Sequence, residues 1–443
     1  MPEARYKQLV DRLASDIRAG RLRPGTRLPT HRDLAAREGL ALVTATRVYA
    51  ELRAMGLVSG ETGRGTFVKE ALPRGEGIDL QAWGAEIVDL SFNYPSSPGQ
   101  TELLRAALRQ LAASGDLDAL LRYQPHGGRG HERETVARHL AGLGVPASME
   151  TTLLVSGAQH GLTTTAMALF EPGDVIAVDA LTYPGFKLAA EAARLELAPV
   201  ASAGNGPDLD ALSALCKRRR VRALYAMPTL HNPLGWVMSA TRRRQLVAMT
   251  RKHGVTIIED GAYAFLADDA PPPLASLAPE STVYVSSVSK SIATGLRVGF
   301  IHAPREHIAK LERTIRATTW NTPAALTSIA CGWIEDGTLA TLEAEKRRDA
   351  AARQSLAARV LSGVKRTGHR NSYFLWLPLD QEVRADAIAA ALMRTRIAVS
   401  TAQPFATSAH VPHAIRLALG SVDMLTLERA LEKVAEVIAE QTY

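Results

Sequence analysis

The stretch SVSKSIATGLRVGF, Ser287 to Phe300, sets Lys290 among small and apolar residues with Arg297 seven positions on. Burying an unpaired ammonium is so costly that such a group tends to surrender its proton. A desolvated, neutral lysine is the amine that condenses with aldehydes, so these surroundings suit a Schiff-base nucleophile. A solvent-facing Lys290, with Arg297 paired to some carboxylate, is the plainer alternative, and the stretch alone does not choose. Asp260 closes the apolar run of IIEDGAYAF, where a carboxylate needs a partner. A protonated pyridine nitrogen would supply one, and that ion pair makes the ring an electron sink.

Further residues fit the same kind of ligand. Asn232, in MPTLHNPLGW, and Tyr263, three after Asp260, could both reach a phenolic oxygen on such a ring; an Asn-Pro turn is the alternative for the first. Tyr183, in VDALTYPGF, could stack on the ring or simply be a core tyrosine. Gly157, Ala158 and Gln159, in SGAQHGL, would open a helix whose free backbone N–H groups can hold a phosphate, though a plain strand-to-helix turn explains them as well. Ser287, Ser289 and Arg297 offer hydroxyls and a guanidinium suited to a phosphate dianion. Taken together, the set asks for a phosphorylated pyridine cofactor, with Lys290 neutral or imine-bound and Arg297 paired to phosphate.

These residues sit at the ends of short apolar runs, TTLLVSG, DVIAVDA, VRALYAMP, GVTIIED, STVYVSS and VGFIHA, which alternate with helical patterns from about Asp89 onward. Such alternation predicts an α/β domain of parallel strands with crossover helices, and open α/β sheets bind ligands at strand ends. From about Trp320 the pattern turns mainly helical, with one strand in NSYFLWLPL, which predicts a smaller α+β subdomain closing over the first. Residues 70–88 combine turn formers with little periodicity and read as a linker.

Ahead of the linker the composition changes. Residues 1–69 carry 13 Lys and Arg against 7 Asp and Glu, which is nearly all of the chain's net charge of +7. A small basic domain before a nearly neutral one points to an anionic polymer as partner of the first part only. Tyr6, Leu9, Val10, Leu13 and Ile17 recur at helical spacing; Thr30 with Asp33 reads as the capped start of a second helix; a third runs from about Val43 to Met55. GLVSGETGRGTFV then reads as a hairpin. Three helices and a basic hairpin make a winged helix-turn-helix, which lays its third helix in the major groove of double-stranded DNA. No run of about 18 apolar residues could span a bilayer. The N-terminus lacks the apolar stretch of a secretion signal, so a cytoplasmic protein is expected. Cys216 and Cys331 lie far apart without a CxxC or histidine pattern, so neither a disulfide framework nor a metal site is expected.

NPLG, IIED with Tyr263, and SVSK with Arg297, in this order and spacing, resemble the fold-type I, class I aminotransferases from about Asp89 to the C-terminus. The resemblance implies pyridoxal 5'-phosphate held by Lys290 as an internal aldimine, with Asp260 on the pyridine nitrogen. It places Asn232 and Tyr263 at the ring oxygen, Tyr183 on the ring face, and Ala158, Gln159, Ser287, Ser289 and Arg297 around the phosphate. Tyr123, in LRYQPHGG, matches the tyrosine that in this family reaches the neighbouring subunit's phosphate, which implies a homodimer with shared sites. Arg416, in AIRLALG, matches the arginine that grips a substrate's α-carboxylate; a surface arginine on an edge strand is the alternative. Ala158 stands where many relatives have a hydroxyl, and His231 where a glutamine is usual.

Residues 1–69 resemble the GntR-family winged helix through RLRPGTRLPTHRDLA, YAELRAMGLV and GRGTFV. Ahead of residues 89–443, this is the layout of the MocR subgroup. Ala41 and Leu42 replace the serine cap and the arginine that commonly begin the recognition helix, leaving Arg32, Thr44, Thr46, Arg47 and Arg64 as candidate DNA contacts. The expectation is a regulator that senses an amino-containing effector through an external aldimine. The rival is a working aminotransferase delivering an amino group to a 2-oxo acid, and a sensor of the cofactor itself is a third reading.

Overall fold

The computed structural model describes residues 2–18, 21–23, 26–55, 57–61, 65–68, 87–94, 99–114, 117–380 and 383–442. The expected linker therefore lies, up to residue 86, outside the described residues, as does Arg64.

The N-terminal unit has three helices, α1 (Pro2–Arg18), α2 (His31–Glu38) and α3 (Leu42–Ala54), and a hairpin of β1 (Val58–Glu61) and β2 (Gly65–Val68). Local chemistry sets the helix ends. The Thr30 hydroxyl accepts from the Asp33 N–H, the Asp33 carboxylate accepts from the Thr30 N–H, and Gly39 ends α2 in the left-handed region at φ 63°. The apolar face of α1 meets α3 through Tyr6, Leu9, Val10, Val48, Tyr49 and Leu52, all buried. Side chains as deeply buried as Val48 and Leu52 contribute roughly 1.5–3 kcal/mol each. The Tyr49 hydroxyl, donating to the Pro29 carbonyl at 2.6 Å, fixes how α3 sits against the turn before α2.

The larger unit is built on a seven-stranded sheet. Its strands are β4 (Thr152–Val155), β5 (Val175–Asp179), β6 (Glu196–Val200), β7 (Val221–Ala226), β8 (Thr256–Asp260), β9 (Thr282–Ser287) and β10 (Gly299–His302) in the spatial order β4-β10-β9-β8-β7-β5-β6. Most pairs are parallel, but β10, the VGFIHA run, is antiparallel to both neighbours and corrects the expectation of a parallel strand there. The cause is the short connection from Val288 to Val298, which contains Lys290. A parallel return needs roughly a dozen residues or more and usually a helix. The strand β6 has no counterpart among the expected runs, because Glu196 and Pro199 interrupt its apolar pattern; a proline is tolerated on such an edge.

The smaller subdomain has four strands, β3 (Val88–Leu90), β11 (Phe374–Pro378), β12 (Ile397–Thr401) and β13 (Ala414–Ala418), in the order β11-β13-β12-β3. Here β3, from the start of the larger unit, pairs in parallel with β12 and buries Leu90 with Leu417, Leu427 and Leu431. The chain thus enters through the small subdomain before building the large sheet. Among the described residues, no helix is long and apolar enough to cross a membrane.

Candidate functional site

The C-terminal ends of β4, β5, β7, β8 and β9 open onto one cleft, roofed by β13 and the segment after β3. On its floor β4 ends and the helix Ala158–Leu169 begins with Gly157 at φ 87° and no side-chain cap, so first-turn N–H groups stay available to an anion. A Cβ on Gly157 would stand 2.7 Å from Nη2 of Arg297, so only glycine lets that guanidinium lie over the helix start. Arg297 itself has φ 52° and donates to the Ser156 carbonyl at 3.3 Å. The Ser289 hydroxyl is buried without a partner, and Gln159 has an unpartnered Oε1 while its Nε2 donates to Gly185 at 2.7 Å. Ser287 is buried at the end of β9, where it pairs with Gly299. Uncapped N–H groups, an orphaned hydroxyl and a glycine cradle beneath an arginine fit a phosphate dianion.

The buried Asp260 accepts from the Tyr225 hydroxyl at 2.8 Å and from the Ala262 N–H at 3.0 Å. Burial pushes its carboxyl above the ordinary range, and those two hydrogen bonds pull it back only in part. A cation placed against it would relieve that cost. Tyr225 is held by Phe186, with ring centroids 3.9 Å apart and nearly parallel. Tyr183 is half-buried at the next strand end, and burial, reinforced by Asp260, pushes its phenol to about 12.

Lys290 is half-buried and donates from Nζ to the Asn93 carbonyl at 3.0 Å, with Nζ 5.9 Å from the centre of the Tyr263 ring. Burial first, then Arg416 and Arg297, lower its ammonium to about 8. Its bond to the Asn93 carbonyl turns Lys290 inward rather than leaving it free in solvent. Arg416 is buried in β13, a central strand, with its guanidinium 5.3 Å from the Phe374 ring and 5.0 Å from Phe405. It donates to the Ser91 carbonyl and, at 3.1 Å, to Oδ1 of Asn232, while its Nε has no partner. Burial lowers this guanidinium to about 10. A buried cation held only by neutral oxygens and aromatic faces is suited to receive a carboxylate.

Two expected residues lie elsewhere or differ in their setting. Tyr123 is 88% exposed, its ring 5.4 Å from that of Trp320, and is not brought to the cleft of its own chain. His231 is buried, stacked on Trp236 at 4.4 Å, with Nε2 3.4 Å from the Asp179 carboxylate. The position where a glutamine is usual is thus committed to the wall behind Asn232.

On the winged helix, Arg32 and Arg47 are exposed and Thr44 is half-buried. The Thr46 hydroxyl donates to the Leu42 carbonyl at 3.0 Å and lies 3.2 Å from His31 Nδ1. Arg47 lies over the Tyr6 ring, 4.6 Å from its centre, and 3.9 Å from Glu51. The small subdomain reaches this unit through Arg384, which donates to Asp11 at 2.6 Å and lies 3.8 Å from Glu51 and 3.7 Å from the Met55 sulfur. His413 stands 3.9 Å from the same Asp11.

Residues 85–434 match the family model for aminotransferase class I and II. The chain belongs to that family. Residues 5–68 match the model for bacterial regulatory proteins of the gntR family, so an aminotransferase-type domain follows a GntR-type one in the MocR layout. The same layout runs through whole-length relatives. The chain is 27% identical over 416 residues to the HTH-type transcriptional regulator YdeF of Bacillus subtilis, spanning 94% of this chain and 90% of that one. It is 26% identical over 433 residues to YdcR of Escherichia coli, also an HTH-type transcriptional regulator, spanning 91% and 92%. The α-aminoadipate aminotransferase LysN from Thermus thermophilus, solved in complex with N-(5'-phosphopyridoxyl)-L-leucine, shares the fold at a TM-score of 0.74 and 24% identity over 81% of this chain and 93% of its own.

In this member of the aminotransferase family, three residues of the cleft escaped the reading of the sequence. Asn93 receives Lys290 on its carbonyl, donates from Nδ2 to the Tyr373 carbonyl at 3.1 Å and accepts the Gly420 N–H at 3.1 Å. Ser91 receives Arg416 on its carbonyl, and Tyr225 holds Asp260. Tyr225 stood in view as the one hydroxyl of the run VRALYAMP. Nothing local marks Ser91 or Asn93, because both act through backbone carbonyls toward partners far along the chain.

Proposed function

We propose that the protein is a DNA-binding transcriptional regulator that uses pyridoxal 5'-phosphate to respond to an amino-containing effector. The observation that carries the reading is the pair of contacts made by one subdomain: it offers Arg416 to the cleft and Arg384 to the winged helix. We take the DNA-binding unit as residues 1–69, the linker as 70–88 and the cofactor-binding unit as 89–443, with its smaller part from about 320 joined by β3.

The residues present fit the cofactor. Lys290 would hold its aldehyde carbon, Asp260 its ring nitrogen, Asn232 and Tyr263 its ring oxygen, and Tyr183 its face. Gly157, Ala158, Gln159, Ser287, Ser289 and Arg297 would surround its phosphate. When bound, it supplies an electrophilic carbon that amines compete for. The residues of the chain do the rest. Lys290, with its ammonium lowered to about 8, gives up its proton readily and yields its place to an incoming amine. Arg416 holds the effector's carboxylate and orients its amino group toward that carbon. Closure of the small subdomain over the effector would move Arg384, and with it the position of α3 on double-stranded DNA.

We further propose a homodimer in which the exposed Tyr123 reaches the phosphate of the neighbouring subunit, and Arg32, Thr44, Thr46, Arg47 and Arg64 as DNA contacts. Its place of work is the cytoplasm, where bacterial DNA lies. A second reading, a working aminotransferase acting on a 2-oxo acid, is favoured by the completeness of the cleft, since regulation requires only amine exchange at Lys290. The test is a screen of amines by visible absorbance of the cofactor-loaded protein, followed by footprinting with each amine that responds. A footprint that changes with an amine that is barely consumed is the expected result. Rapid turnover with a footprint indifferent to every amine would overturn the regulator and leave the enzyme.

A further inference from the structure

We infer that the first turn of α3 reads thymine methyl groups, through Val43 and Leu42, in the major groove of double-stranded DNA; this rests on the DNA-binding reading above and deepens it. Val43 is 80% exposed and Leu42 is 47% exposed, aliphatic side chains standing in solvent at the end of the helix that such a domain inserts. Their neighbour Ala41 caps the helix without a side-chain hydrogen bond, whereas α2, beside it, begins with a complete capping box on Thr30. Of the polar groups on the same helix, Thr44 is half-buried, and Thr46 and Arg47 also make contacts within the domain. The Thr46 hydroxyl is taken by the Leu42 carbonyl and by His31, and Arg47 lies back over Tyr6 toward Glu51. Beside them, α3 presents the aliphatic side chains of Val43 and Leu42 openly at its leading end.

In the major groove the C5 methyl of thymine is the one methyl group on a base edge; cytosine offers only a C5–H at the equivalent position, and the remaining edge groups are mainly donors and acceptors that an aliphatic side chain would leave unpaired. The occupant is set by charge as well. The segment 1–69, with 13 basic against 7 acidic side chains, attracts a polyanion, while a second copy would bring one basic face against another. Phosphate contacts from the basic side chains position the helix without sequence information, and the methyl contacts supply the preference.

The test uses the full-length, cofactor-loaded protein and a duplex selected from a random pool. Each thymine of the half-site is replaced in turn by deoxyuridine, which lacks only that methyl. At one or two positions, affinity should fall about fourfold, the factor equivalent to the ~0.8 kcal/mol of one buried methyl-sized group. Val43→Ala should weaken binding to the thymine duplex and abolish the uridine effect at one of those positions, Leu42→Ala at the other. The salt dependence should stay that of the wild type, since no phosphate contact is lost. Both side chains are exposed, so neither variant threatens the fold. Tight binding to a selected duplex in which no thymine is sensitive to uridine, or sensitivity that survives in the double variant, would overturn the inference and leave the DNA-binding reading standing. Loss of self-association in Val43→Ser with unchanged DNA affinity would also overturn it, assigning the patch to a second copy. Failure to bind any duplex would overturn both.

Discussion

If Lys290 is held at about 8 by burial and by Arg416 and Arg297, its reactivity has a calculable pH profile. At pH 7 a lysine of pKa 8 is unprotonated in about one molecule in eleven, whereas one at the ordinary value of about 10.4 is so in roughly one in 2,500, a difference of some 200-fold in nucleophile. The measurement is the rate at which protein stripped of cofactor captures pyridoxal phosphate, followed by visible absorbance between pH 6 and 10. The rate should climb nearly tenfold per unit and level off near pH 8, and Arg416→Met should move the break upward by removing a neighbouring positive charge. The same shift predicts a stability effect. Because the folded value lies below the unfolded one, the unfolded chain binds more protons between about 8 and 10.5. Stability therefore rises with pH across that window, and below it the folded protein carries an unfavourable ammonium. Lys290→Met should then stabilise the cofactor-free protein at pH 7. The shift corresponds to about 3 kcal/mol, less roughly 1 kcal/mol for the bond to Asn93, a net of about 2 kcal/mol. A capture rate that keeps rising through pH 10, together with a Lys290→Met variant less stable than the parent at pH 7, would refute the claim that this lysine is poised by desolvation.

Four further outcomes follow from the geometry. Gly157→Ala places a Cβ 2.7 Å from the Arg297 guanidinium at φ 87°, so affinity for pyridoxal phosphate and for inorganic phosphate should both fall, as read by titration, and the strained backbone should lower stability by roughly 1–3 kcal/mol, as read by the melting temperature. Arg416→Ala should weaken the effector response by roughly 2–4 kcal/mol, tens to hundreds of times, for any effector with an α-carboxylate, and leave basal DNA binding intact. Arg384→Ala removes the contacts to Asp11 and Glu51 and should uncouple the two units: amine exchange still changes the absorbance, but the footprint no longer changes with it. A chain beginning at Asp89 should lose DNA binding, and the full chain should lose affinity with salt at a logarithmic slope of about −0.9 per phosphate contact; equal binding by the truncated chain would refute the domain assignment.

The cleft was legible where one residue type meets one strand end. Lys290, Asp260, Asn232 and Arg297 each stand out because a charge or amide follows an apolar run, and a buried polar group demands a reason within its own segment. The winged helix was legible in the same way, since the Thr30 and Asp33 capping box and the Gly39 stop are local events. Long-range pairing was not legible. Ser91 and Asn93 contribute carbonyls, which every residue has, to Arg416 and Lys290 hundreds of residues away. The direction of β10 followed from the length of a connection rather than from the pattern of the strand, and β3 carries no mark of its pairing with β12.

The backbone that was illegible is also what joins the two ends of the molecule. Because β3 enters the small subdomain before the large sheet forms, the segment after it passes over the cleft and presents Ser91 to Arg416 and Asn93 to Lys290. On the proposed reading, cofactor on Lys290 would take its Nζ from the Asn93 carbonyl and an amine that frees Lys290 would let that bond re-form, while a carboxylate on Arg416 would compete with the Ser91 carbonyl for the same guanidinium. Both events act on one short stretch, which β3 ties to β12, and β12 to β13. His413 immediately precedes β13 and Arg384 the helix that packs on β12; both contact Asp11 of the winged helix. The cleft and the seat of the DNA-binding unit thus meet in a single four-stranded sheet, the route by which the proposed coupling would run. Under the proposed function such an arrangement would make chemical turnover unnecessary for signalling: exchange of the amine at Lys290 and capture of a carboxylate at Arg416 would by themselves bias the element that holds α3.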